Sequence, residues 1–135
     1  MINMHNLNEC ADMITRVYRV AEQVIQLQLD TGRPVQFALE LSNELKTDYQ
    51  ELNSLFLTRC DMSLDVIFLK QVVEKVKEQL VYTEQPLSQI AKALGYEKSN
   101  DLSEQLMCYT GLTSAHFKRI RKIKLENIRR QQEKI

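Results

Sequence analysis

Three stretches of this 135-residue chain carry polar side chains suited to hydrogen bonding with a nucleic acid. The first holds Gln50, Asn53, Ser54 and Arg59. Side-chain amides can pair with adenine in a major groove, while Ser and Arg reach phosphates. The second holds Lys98, Ser99, Asn100, Ser103 and Glu104. Glu104 is the odd member, because a carboxylate only accepts, for instance from cytosine N4, and it repels phosphate. The third is a basic cluster, Lys118, Arg119, Arg121 and Lys122, placed to clamp a phosphate strand. Each of these residues is equally ordinary as an exposed helical position.

Covalent chemistry has little to work with. His5 and His116 are the only histidines, and they are far apart. Cys10, Cys60 and Cys108 form no CxxC pair and have no ligand spacing for zinc. There is no glycine-rich phosphate loop and no nucleophile elbow. The expectation is a protein that is not an enzyme and uses no cofactor and no metal.

The elements that must present these residues are helical. Three Gly and two Pro interrupt 135 residues, and Leu, Gln, Glu and Lys are abundant. Apolar steps of three and four mark a helix over about Leu7 to Leu29, stopped by Asp30-Thr31-Gly32. That stripe suits either docking on its own domain or a short coiled-coil homodimer. Further helices are predicted over Val35 to Leu45, over Tyr49 to Arg59 with Asp48 as N-cap, and over Leu64 to Val81. Val66, Leu69, Val73, Val76 and Leu80 would form the inner face of the last. Leu87 to Leu94 and Leu102 to Tyr109 make two short runs around Gly95. Tyr18, Tyr82 and Tyr96 read as core.

A repeat links these elements. Leu41, Ser42 and Leu45 match Ile90, Ala91 and Leu94 at an offset of 49, and Leu52 and Phe56 match Leu102 and Leu106 at 50. Met62-Ser63 matches Leu112-Thr113. Two short helices around a tight turn make a helix-turn-helix, so the fold class is all-α: two such units joined by a long linker helix. An extra N-terminal amphipathic helix precedes them, and a basic helical C-terminal tail follows. The linker would span about 27 Å at 1.5 Å per residue, against about 34 Å between successive major-groove faces on one side of B-DNA. Charge is lopsided. Residues 118–135 carry eight basic and two acidic side chains, a net +6, so the rest of this neutral chain carries −6. No run of about 18 apolar residues suits a membrane span, and the N-terminus lacks a signal peptide's parts, so a reduced, cytoplasmic chain is expected.

The second half resembles the C-terminal half of the AraC-type DNA-binding domain. The matching residues are Val73-Glu74-Lys75-Val76-Lys77 and Leu80, then Leu87-Ser88, Ile90-Ala91 and Leu94-Gly95-Tyr96. They continue with Leu102-Ser103, Tyr109-Thr110-Gly111-Leu112-Thr113 and Phe117-Lys118. The resemblance covers about residues 35 to 120, with residues 1–34 and 121–135 as flanking helix and tail. It implies a bacterial transcription regulator that binds double-stranded DNA; such regulators usually have a separate effector-binding or dimerisation domain, which is expected to be missing here. The first 34 residues are too few for such a domain, and no small-molecule effector site is evident. The chain departs from the family at Glu104, where Arg or Asn is common, and at Met107 and Cys108, where two basic residues are. It also has Val72 where a basic residue is common, and Ser114 where Pro is. The other expectation is therefore a helix-turn-helix scaffold used for protein interaction.

Overall fold

The computed structural model describes residues 7–133, and every regular element among them is a helix. The seven helices are α1 (Leu7–Thr31), α2 (Phe37–Leu45), α3 (Tyr49–Arg59), α4 (Leu64–Tyr82), α5 (Leu87–Ala93), α6 (Ser99–Thr110) and α7 (Ser114–Glu133). They fall into two compact units, residues 1–72 and 73–135, with the division inside α4. His5 and Lys134 lie outside the described residues.

The first unit is built on the stripe of α1. Cys10, Met13, Val17, Val20, Ala21, Val24 and Ile25 are buried along it. All but Ile25 belong to one apolar cluster with Phe37, Leu41, Leu45, Leu52, Phe56, Leu64 and Ile67. This stripe is buried against its own unit. At the end of α1, Gly32 adopts φ 68° and its N–H donates to Gln28 O at 2.8 Å, a left-handed cap. Phe37 stacks on Phe68 with ring centroids 4.4 Å apart and meets Tyr49 edge-on at 6.3 Å. The Tyr49 hydroxyl donates to the Asp65 carboxylate, so the starts of α3 and α4 are tied together.

The second unit takes Val73, Val76 and Leu80 from α4, Ile90 and Ala91 from α5, Leu102 and Leu106 from α6, and Phe117 from α7 as its buried apolar residues. Pro86 holds the N-cap position of α5. Past the C-terminal end of this helix, Gly95 adopts φ 85° and Tyr96 N–H reaches back to Ala91 O at 2.9 Å. The Tyr96 hydroxyl then donates to Gln105 Oε1, fixing the turn on α6.

Two sequence expectations change. Val66 is exposed and Leu69 half-buried, while Leu64, Ile67 and Val72 are buried, so the inner face of α4 is rotated at its start. Tyr82 is 66 % exposed. It sits at the end of α4, where Lys124 Nζ lies 4.9 Å from its ring centroid and donates to its hydroxyl at 3.2 Å. A cation over the ring and a partner on the oxygen hold a tyrosine in place without burying it.

Candidate nucleic-acid interface

Helices α2 and α3 pack on one another, as do α5 and α6. The turns between them show a local repeat. Lys46, past the end of α2, has φ 52°, and Gly95, at the offset of 49, has φ 85°. Asp61, past the end of α3, has φ 54°, and Gly111, at the offset of 50, has φ 73°. Left-handed backbone costs an L-residue about 1–2 kcal/mol, so its use at Lys46 and Asp61 shows that the path is dictated by packing. From Glu51 to Cys60 the succession of buried, half-buried and exposed residues is the same as from Asp101 to Thr110.

This repeat defines two outward rows. On α3 the row is Gln50, Glu51, Ser54, Leu57 and Thr58; on α6 it is Asn100, Asp101, Glu104, Met107 and Cys108. Each follows the i, i+1, i+4, i+7, i+8 spacing of one helical face. Gln50 and Ser54 are brought together on the first row, with exposed Arg59 near its end. Asn100 and Glu104 are brought together on the second, where the Asn100 amide donates to Glu104 Oε1 at 3.5 Å. Lys98 and Ser99 are exposed at the start of α6, with Lys98 in the N-cap position but making no side-chain cap.

Asn53 and Ser103 hold the same place on the two helices, and both are half-buried. Asn53 Oδ1 accepts the Leu64 N–H at 2.9 Å and so caps α4 from within the first unit. Its carbonyl end is occupied, which leaves the NH2 as the free end for any other partner.

The charges of the rows differ. Helix α3 carries one acid, Glu51, and one base, Arg59, whereas α6 carries Asp101 and Glu104 and no base at all. Both helices place a carboxylate in the first turn, and the Asp48 side chain also accepts from Glu51 N–H at 3.4 Å. These groups hold the helix starts that would otherwise draw a phosphate.

The basic cluster on α7 is partly engaged within its own unit. Lys118 Nζ donates to Gln85 O at 3.4 Å. Arg121 donates to Val81 O at 3.4 Å and lies 3.7 Å from the Glu84 carboxylate. Arg119 and Lys122 are exposed. No three His, Cys, Asp or Glu side chains gather as a metal site among the described residues.

Sequence reasoning singled out Met107 but not Leu57, and it did not pair these exposed apolar residues at matching places on the two rows. The offset of 50, applied to solvent-facing positions as well as core ones, would have paired them.

A solved structure of the C-terminal domain of AraT, a response regulator from Geobacillus stearothermophilus, resembles the chain with a TM-score of 0.56. The two are 22 % identical, and the match covers 76 % of this chain and 84 % of that one. At that identity the likeness shows the fold. No protein-family model matches the chain, and no curated protein does.

Proposed function

We propose that the chain is a DNA-binding transcription regulator of the AraC type, built as two helix-turn-helix units with α4 as the linker between them. Helices α3 and α6 are the reading helices. The observation that carries this reading is the repeat of two outward rows on two turns of the same geometry, a duplication with no role in a simple bundle. The fold likeness to the AraT C-terminal domain supports it. No chemistry on bonds is involved.

Within this reading the rows contribute unequally. Gln50 and Ser54 supply base and phosphate contacts, Arg59 a phosphate contact, and Asn53 only through its amide nitrogen. Arg119 and Lys122 supply further cations after the second unit, with Lys118 and Arg121 joining where they leave their present partners. On α6 the contacts fall to Lys98, Ser99, Asn100 and Ser103, and to Glu104 only through a cytosine amine. The three free cysteines suit a reducing compartment such as a bacterial cytoplasm.

The test is fluorescence anisotropy with mixed genomic duplexes at low salt, followed by selection from a random pool. Binding should weaken steeply as salt rises. No binding at low salt would sink the proposal.

A second reading applies to α6, favoured by its lack of any basic residue and by exposed Met107, Tyr109 and Leu112 beside its carboxylates. There the second unit meets a protein while the first meets DNA. Duplex binding unaffected by substitutions on α6, but lost with Arg59→Ala, would select it.

A further inference from the structure

Helices α1 and α2 of the first unit leave a groove between them, lined by Val20, Val24, Leu27, Val35, Glu40 and Glu44. Val20 and Val24 form an apolar floor, and Leu27 is 49 % exposed at its edge. Glu40 and Glu44 stand one turn apart on the α2 bank, and both are exposed. An apolar floor under two carboxylates suits an amphipathic helix that is apolar on one face and basic beside it.

This chain carries such a helix. Past Lys124, the end of α7 exposes Leu125 at 49 % and Ile128 at 52 %. Lys122, Leu125 and Arg129 follow at spacings of three and four, with Ile128 one turn from Leu125, so two cations and two aliphatics share a flank. The chain is neutral as a whole, yet residues 118–135 carry +6 and the remainder −6. A second copy is thus an electrostatic complement of the first.

We propose that the groove between α1 and α2 receives the end of α7 from a second copy of this chain. Leu125 and Ile128 cover the apolar floor, and Lys122 and Arg129 face Glu40 and Glu44. A stable dimer buries roughly 1,600 Å² in total, more than one short tail in one groove supplies. The exchange is therefore reciprocal: each copy gives a tail and receives one, which closes the pair about a two-fold axis.

The experiment is sedimentation equilibrium of the full chain over a concentration series at low salt. The expected result is a monomer–dimer equilibrium that salt weakens. Glu40→Lys with Glu44→Lys in one chain, and Lys122→Glu with Arg129→Glu in another, should each raise the dimer dissociation constant by about tenfold or more. Mixing the two charge-reversed chains should restore association as a heterodimer. Leu125→Ala with Ile128→Ala weakens the dimer without touching charge, and circular dichroism checks that each variant keeps its helices. A wild-type monomer at every concentration up to about 1 mM overturns the proposal. So does a dimer indifferent to both charge reversals, or a mixture of the two variants that stays monomeric.

Discussion

The two units repeat one path with different materials. In the first, α1 lays Cys10, Met13, Val17, Val20, Ala21 and Val24 into the core, and the rings of Phe37, Tyr49 and Phe68 gather at the start of α3. In the second, α4 precedes the pair α5–α6 as α1 precedes α2–α3, but it gives only Val73, Val76 and Leu80 to the core, and Ser99 stands at the place of Tyr49. The turns differ the other way. The first unit bends through Lys46 and Asp61, whereas the second uses Gly95 and Gly111. Backbone strain is thus carried where the core is largest, and relieved by glycine where it is small. A backbone path is held by the sum of packing and local preference, so a deficit in one is tolerated where the other is in surplus.

Core truncation at matched positions gives the largest effect. Phe56 and Leu106 are both fully buried, fifty residues apart. Phe56→Ala should cost about 3–5 kcal/mol and Leu106→Ala about 2–5 kcal/mol in urea unfolding. If Leu106→Ala proved the costlier by a clear margin, the ranking of the two cores would be reversed.

The turns should answer with opposite signs. Nothing lies within 4 Å of a Cβ built on Gly95 or Gly111, so Gly→Ala there tests the backbone alone. Gly111→Ala should destabilise by about 1–2 kcal/mol, and Asp61→Gly should stabilise by up to about 1 kcal/mol. Equal signs for the pair would break the idea that the first unit carries strain.

The outward rows differ in charge, and Glu104→Arg should remove that difference. Duplex affinity should rise about tenfold, with a steeper salt dependence. The equivalent Ser54→Arg should do less, because α3 has no carboxylate at that place to remove. An unchanged affinity for Glu104→Arg would take α6 away from DNA.

The smallest contrast is alkaline. Burial, then hydrogen bonding with Cys10, pushes the Cys60 thiol from its usual 9.0 up to about 12. Burial, then the hydrogen bond to Asp65 and its charge, raises Tyr49. Tyr96 in the second unit is also raised, by burial and then by Asp101. An unfolded chain loses these protons first, so their contribution is whole below about pH 9 and fades as pH climbs through the folded values. Urea midpoints between pH 8 and 11 should fall, and less so for Cys60→Ala and Tyr49→Phe. A flat profile would contradict the burial of these groups.

Much of this was legible in the sequence. Periodicity located the first six helices, with ends within a few residues of those found, because apolar steps of three and four record which side is buried; the basic tail reads as starting after the second unit, whereas α7 already begins at Ser114. Asp48 was read correctly as the N-cap of α3, and Gly32 as the stop of α1. The first turn of α4 was misread because Val66 and Leu69 share a plausible flank with Val73. The choice of Leu64 and Ile67 instead depends on where Asn53 and Asp65 pin the helix. From sequence Tyr82 reads as core, because sequence shows ring size and not the cation that arrives 42 residues later. The roles of Asn53, Lys118 and Arg121 as internal ties were hidden for the same reason: a polar residue's type does not say whether it faces solvent or a backbone group.

The outward row of α6 ends at an exposed thiol, Cys108, while Cys10 is buried and Cys60 is half-buried and reluctant to ionise. Alkylating reagents need an accessible thiolate, so burial shields Cys10 and a raised pKa shields Cys60, while Cys108 is open to them. The unaltered protein therefore carries its own chemical footprint at the face in question. The rate at which iodoacetamide labels Cys108 reports whether that face is covered, by duplex or by protein, with no engineered probe and no change to the sequence.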